Sequence, residues 1–306
     1  MMRKRFLLSA KVLLCGGALG LIDAPAAAQF TGVPGVGDLG DGSGLAVTNL
    51  DGNPRPEMIL MAYDACRAEQ LPLQVGFNLN TAPSPRAGPL IQVPGVGDLG
   101  AGADVAITNL DTNARPEMIL VAYDDPAGPN TFRYKVGSNL NASGVAASWG
   151  PPILVPGVGD LGQGAGVAFT NLDDNLRPDM ILMAYDAPAG ANNFRYKVGF
   201  NLNASGVAAS WGATVIVPGV GDLGDGAGAV VTNLDGDSRP DMVLMAYDAP
   251  SGPNNFRRKV GSNLNASGVA ASWGATVIEP GVGDLGDGAP TSGSSTSTPT
   301  RGPSSS

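Results

Sequence analysis

Four segments of the chain set oxygen-bearing side chains at fixed intervals: NLDGNPRPE (49–57), NLDTNARPE (109–117), NLDDNLRPD (171–179) and NLDGDSRPD (233–241). Position 1 is Asn49, Asn109, Asn171 or Asn233, and position 3 is Asp51, Asp111, Asp173 or Asp235. Position 5 is Asn53, Asn113, Asn175 or Asp237, and position 9 is Glu57, Glu117, Asp179 or Asp241. Alternate residues of a tight loop can aim their oxygens at one point, where a hard cation such as Ca2+ collects six to eight of them. Four side chains, the main-chain carbonyl of position 7 (Arg55, Arg115, Arg177 or Arg239) and water reach that number. The fourth loop carries three carboxylates, against two in each of the first two loops, and is expected to bind most tightly. The competing reading is local: Asx side chains bond their own loop, and Arg-Pro only fixes the exit into the next strand.

Other chemistry is thinner. The chain has no histidine, which removes the commonest general base, the Ser-His and Cys-His nucleophile pairs and every His-containing zinc site. Paired carboxylates remain, but no unique acidic pair breaks the repeat, so no catalytic residue is assigned. The stretch PGVGDLGDG (34–42) contains G-x-G-x-x-G, and near-copies begin at 94, 156, 218 and 280. A dinucleotide turn must follow a strand and open a helix. These copies lead into Gly-rich and then strand-like sequence, so the glycines are read as joints between units. Asp38, Asp98, Asp160, Asp222 and Asp284 within them are read as Asx turns, with a cation or ligand contact as the alternative. Trp149, Trp211 and Trp273 in ASWG, and Tyr123, Tyr185 and Tyr247 in AYD, are candidates for a ligand surface. Such a Trp can carry a sugar ring or simply pack between units.

The elements that would position these groups repeat. The Asn-Leu-Asp triplets are spaced 60, 62 and 62 residues apart, giving units at about 34–93, 94–155, 156–217 and 218–279. In the third unit GVAFTNL is a short β-branched run, and MILMAYD is apolar throughout, as in a strand buried on both faces. FRYKVGFNL alternates, with Phe194, Tyr196, Val198 and Phe200 on one face, and ATVIV closes the unit. These runs are separated by Gly, Pro, Asn and Asp and predict a four-stranded antiparallel sheet. Four such units predict an all-β fold, a β-propeller of four blades, with a long-rung β-solenoid as runner-up. Closure within one chain or by pairing of two chains is left open. The first unit is atypical, with Ala87 where the others carry Trp, as end repeats often are.

A strand, an Asp-rich loop and an apolar strand in units of about sixty residues resemble the FG-GAP or VCBS repeat of integrin α-subunit propellers, NLDGDSRPDMVLMAYD (233–248) most closely. The alternating loop oxygens also resemble the opening of an EF-hand loop. The family resemblance implies a calcium-stabilised propeller for adhesion or ligand binding, with Asn233, Asp235, Asp237 and Asp241 and their counterparts as ligands. The chain departs from the family at position 1, which is always Asn. It departs again at position 6, where Pro54, Ala114, Leu176 and Ser238 replace glycine.

The first 28 residues have a basic start, an apolar run from Val12 to Ile22 and Ala26-Ala27-Ala28, the layout of a secretory signal peptide. The run is too short to span a bilayer. That segment holds Arg3, Lys4, Arg5, Lys11 and Asp23, so of 18 basic and 27 acidic residues 14 and 26 follow it. Such an acidic chain without a basic tract is unsuited to nucleic acid or anionic membranes. Cys66 is the one cysteine beyond the segment, so no internal disulfide is expected there. Residues 29–289 are read as the repeat domain and 290–306, rich in Ser, Thr and Pro, as a flexible tail. The sequons at Asn141, Asn203 and Asn265 would accept glycans in a eukaryotic secretory route. The expectation is a secreted, calcium-binding adhesion or glycan/protein recognition module, with a homo-oligomer allowed. The alternatives are a polysaccharide-acting hydrolase or lyase, or a spacer from a larger surface protein.

Overall fold

The computed structural model describes residues 43–53, 55–62, 71–77, 86–93, 103–123, 131–155, 165–185, 193–217, 226–247 and 256–279. The five PGVGDLG joints, Cys66, residues 1–42 and residues 280–306 lie outside them. All regular elements among the described residues are β-strands. The first sheet comprises β1 (Ser43–Thr48), β2 (Glu57–Ala62), β3 (Leu71–Phe77) and β4 (Arg86–Val93). The second has β5 (Ala103–Thr108), β6 (Glu117–Tyr123) and β7 (Phe132–Ser138), then two short pieces, β8 (Ser148–Trp149) and β9 (Ile153–Val155). The third repeats this with β10 (Ala165–Thr170), β11 (Asp179–Tyr185), β12 (Phe194–Phe200), β13 (Ser210–Trp211) and β14 (Val215–Val217). The fourth has β15 (Gly226–Thr232), β16 (Asp241–Tyr247), β17 (Phe256–Leu264), β18 (Ala270–Trp273) and β19 (Val277–Glu279). Each sheet is an antiparallel meander in chain order. Inner strands of successive sheets pack side by side, β1 on β5, β5 on β10 and β10 on β15. The fold is a β-propeller of four four-stranded blades.

The fourth strand departs from the expected ATVIV run. It starts earlier, at Ser-Trp, and both of its pieces pair with the third strand. Trp149 faces Gly137 and Ile153 faces Tyr134, so four steps on one strand oppose three on its partner. The extra residue is a β-bulge. The same count separates Trp211 from Val215 and Trp273 from Val277, and the first blade shifts register between Gln74 and Gly76.

The core lies between blades. Ile119, Val121, Phe132, Tyr134 and Val136 of the second blade meet Val167, Phe169, Met180 and Leu182 of the third. Met118, Leu120, Val105 and Ile107, on the opposite face of the second blade, meet Ile59, Met61, Leu73 and Val75 of the first. The second strand of a middle blade is therefore buried on both faces, as its unbroken apolar sequence requires. In the last blade Arg258 stands where the second and third have Tyr134 and Tyr196, and Glu279 where they have Val155 and Val217. Arg258 Nε donates to Glu279 Oε1 at 3.1 Å, and both side chains are largely exposed.

Candidate functional site: the loop face between blades

The four Asp-rich loops each join the first strand of a blade to the second, and their first carboxylates and amides organise the loop itself. Asn109 Oδ1 accepts from Thr112 N (2.7 Å), Asp111 Oδ1 from Asn113 N (3.0 Å) and Asn113 Oδ1 from Arg115 N (2.6 Å). The first and fourth loops repeat these bonds. Asn49, Asn109, Asn171 and Asn233 also donate Nδ2 to the carbonyl oxygen of position 5. Residues in the left-handed region, Gly52, Thr112, Asp174 and Gly236, make the sharp bend.

Position 9 works differently. Glu57, Glu117, Asp179 and Asp241 are buried beneath the loop. Asp179 Oδ2 accepts from Leu172 N (2.8 Å) and Oδ1 from Asn201 N (2.8 Å), tying the loop to the turn after the third strand. Asp241 does the same with Leu234 and Asn263, and Glu117 with Leu110 and Asn139. Burial raises the Glu117 and Asp179 pKa values, these N–H donors partly offset it, and the charges of Asp111 and Asp173 add a smaller upward push. The clamping residues Asn139, Asn201 and Asn263 all have positive φ, which Asn tolerates. Oxygen spacing alone did not reveal this clamp; the recurring Asn-Leu-Asn at 139–141, 201–203 and 263–265 is the signal that could have.

The loops differ in what they leave for a cation. In the first and second, Asn53 and Asn113 donate Nδ2 to the second oxygen of Asp51 and Asp111. In the third, Asn201 Nδ2 reaches Asp173 Oδ2 at 3.2 Å. In the fourth, position 5 is Asp237, which has no amide to give. Among the described residues Asp235 Oδ2 and Asp237 Oδ2 accept no hydrogen bond. No three acidic, Cys or His side chains converge among the described residues. A cation in the fourth loop would therefore rest on two exposed carboxylates with amide and carbonyl oxygens, a donor set that suits a hard ion. In each of the other loops an amide already donates to the second oxygen of the Asp at position 3.

The tryptophans lie half-buried on glycine. A Cβ at Gly137, Gly199 or Gly261 would come within 2.8 Å of the indole of Trp149, Trp211 or Trp273. Each indole also packs against the cluster shared with the preceding blade. Tyr123, Tyr185 and Tyr247 end the second strands opposite Phe132, Phe194 and Phe256, and their side chains lie outside the described residues.

A further set of contacts fixes how neighbouring blades meet. Tyr134 donates its hydroxyl to the Gly206 carbonyl (2.9 Å) and Tyr196 to that of Gly268 (2.9 Å). Burial pushes both phenols up to about 12, so they stay protonated as donors. Gly206 has φ 75°, and a Cβ there would lie 2.5 Å from Val136 Cγ2 and 3.5 Å from Leu110 Cδ1. Asp104, fully buried on the inner strand β5, accepts from Val105 N (2.8 Å) and, across the blade boundary, from Val167 N (2.9 Å). Burial holds its pKa well above the usual carboxylate range despite those bonds. The other blades have Gly44, Gly166 and Gly228 at that position.

On the loop face a cleft of about 310 Å³ opens between the second and third blades, lined by residues that include Leu110, Asp111, Leu176, Arg177, Leu202 and Asn203.

No protein-family model matches the chain, and no curated relative matches it. Among solved structures it is similar to a triple mutant of AofleA from Arthrobotrys oligospora, with 12% identity and a TM-score of 0.48 over 78% of this chain and 56% of that one. For AofleA itself the values are 12%, 0.44, 78% and 59%. For the V. cholerae biofilm matrix protein Bap1 they are 12%, 0.30, 76% and 39%. The chain thus spans between half and two thirds of the length of AofleA.

Proposed function

We propose that this protein is a secreted, multivalent recognition module that presents its loop face to an extracellular glycan or protein, with Ca2+ in the fourth loop. One observation carries the reading: the same exposed loop, with an Asp at position 3 and an Arg at position 7, recurs in all four blades over a buried carboxylate, which in the last three clamps it to the turn after the third strand. Rigid elements presenting identical polar groups at blade spacing suit a ligand that itself repeats, because linked weak contacts add up to avidity. The loop's place between first and second strands supports the FG-GAP-like reading. Asn233, Asp235, Asp237 and the Arg239 carbonyl would hold the ion, with Asp241 anchoring the loop beneath it. The ion would supply rigidity and local positive charge. An array of oligosaccharides and matrix proteins, probed in calcium and in chelator, tests the proposal. Binding that strengthens with calcium is expected; no binding in either condition would overturn it.

A further inference from the structure

The cleft between the second and third blades is built from both. Its floor is Leu110 and Leu202, both buried. Leu110 N is held by the Glu117 carboxylate (2.7 Å), and Leu202 N donates to the Pro178 carbonyl (2.9 Å), so the floor is fixed from below. Asp111 stands on one side with each carboxylate oxygen taking a hydrogen bond from Asn113, at 3.0 and 2.7 Å, which locks its orientation while leaving lone pairs for a ligand. The third blade supplies Arg177, exposed and without an ion pair among the described residues. Beside it lies Leu176, whose side chain is 93% exposed. Asn203 Oδ1 accepts from Ser205 N and Val207 N, which leaves its Nδ2 as a donor.

Such a cleft offers an apolar floor, guanidinium and amide donors and one fixed carboxylate acceptor. A pyranose ring needs the same set: a C–H face to cover and vicinal hydroxyls that both donate and accept. An anionic ligand would meet Asp111 and the chain's net charge of −9. The contacts that shape the cleft recur at the other boundaries. Gly144 meets Val75 and Leu50, and Gly268 meets Val198 and Leu172, as Gly206 meets Val136 and Leu110. Asp51 with Arg115, and Asp173 with Arg239, hold the positions of Asp111 with Arg177.

We infer that each blade boundary on the loop face is a subsite for one ring of a neutral, hydroxyl-rich polysaccharide, with the Asp of one blade and the Arg of the next as its polar contacts. This inference rests on the recognition reading above and gives it a site. It is tested by titrating mannan, dextran and polygalacturonate oligosaccharides into the full-length chain, into Arg177→Ala and into the triple variant Arg115→Ala, Arg177→Ala, Arg239→Ala. A neutral oligosaccharide should bind the unaltered protein. Arg177→Ala should weaken binding several-fold, and the triple variant should weaken it by at least about tenfold as separate contacts and avidity are lost together. The triple variant should melt at the unaltered temperature, because these guanidiniums make no described bond. A neutral glycan bound equally well by all three proteins would overturn the subsite and leave the recognition reading standing. Preference for polygalacturonate would overturn the neutral class. No glycan bound by the unaltered protein, with a matrix protein captured instead, would overturn the subsite alone; nothing bound at all would sink both.

Discussion

The fourth loop allows a test in which metal and fold give opposite signs. Asp237 accepts one backbone hydrogen bond, from Arg239 N at 2.7 Å through Oδ1. Asn at 237 keeps that bond, as Asn53 and Asn113 do in their own loops. Its new amide can donate to Asp235 Oδ2, as Asn113 Nδ2 donates to Asp111 Oδ2 at 2.7 Å. Without metal, Asp237→Asn therefore costs nothing and relieves a repulsion between exposed carboxylates. With metal it removes one of two charges from the donor set and adds a competing N–H. At free calcium one hundredfold above Kd, a single site stabilises the folded state by about 2.7 kcal/mol. For a domain of this size that corresponds to a rise in melting temperature of roughly 5–10 °C. Differential scanning calorimetry in calcium and in chelator reads both arms. The unaltered protein should gain that rise; Asp237→Asn should melt at or slightly above it in chelator and gain little in calcium. An unaltered protein whose melting ignores calcium, or a variant with the full shift, refutes the reasoning.

Further outcomes follow from the blade contacts. Gly206→Ala puts a Cβ at positive φ against the stiff Val136 side chain and should cost about 3 kcal/mol, read as a fall of roughly 6–12 °C in melting temperature. Tyr196→Phe leaves the Gly268 carbonyl without its buried donor and should cost about 1–2 kcal/mol in chemical denaturation, with the slope m unchanged. Asp104 has a folded pKa raised above its unfolded one, so the stability it contributes is fully present in acid and lost as pH rises through the folded value. Asp104→Gly, the residue of the other three blades, should flatten the fall in melting temperature as pH rises above the ordinary carboxylate range; a fall of equal steepness would refute that assignment.

The fold was legible because its signals are local and repeated. A 62-residue period, an apolar second strand and the alternation of Phe194, Tyr196 and Val198 each constrain a blade, and they agree. The bulge opposite Gly137 was not legible, because one extra residue in a two- or three-residue strand leaves no periodicity to break. Nor were the bridges between blades. Tyr196 reads as core from its position, and its hydroxyl partner lies 72 residues away. Asp104 belongs to no motif in the sequence, yet it is the single departure from glycine at a position where backbones of neighbouring blades meet. Gly44 shows how close they come: a Cβ there would lie 2.8 Å from Val105 N.

The loops show where reading oxygens from a sequence runs short. Positions 3, 5 and 9 look alike as letters, but they divide between two tasks that compete for the same lone pairs. In the last three blades position 9 is buried and has given both oxygens to main-chain donors, one from its own loop and one 22 residues on. It holds the floor of the blade boundary whether or not a metal is bound. Positions 3 and 5 are exposed, and an Asn at 5 quiets the Asp at 3 from within the same chain. Against the first two loops, the exchange of Asn for Asp at position 5 is what leaves the fourth open to an ion. Calcium chemistry is therefore expected to concentrate in the fourth loop. In the second, the self-satisfied Asp111 is left with a fixed geometry suited to a hydroxyl, which is what the cleft beside it offers a sugar.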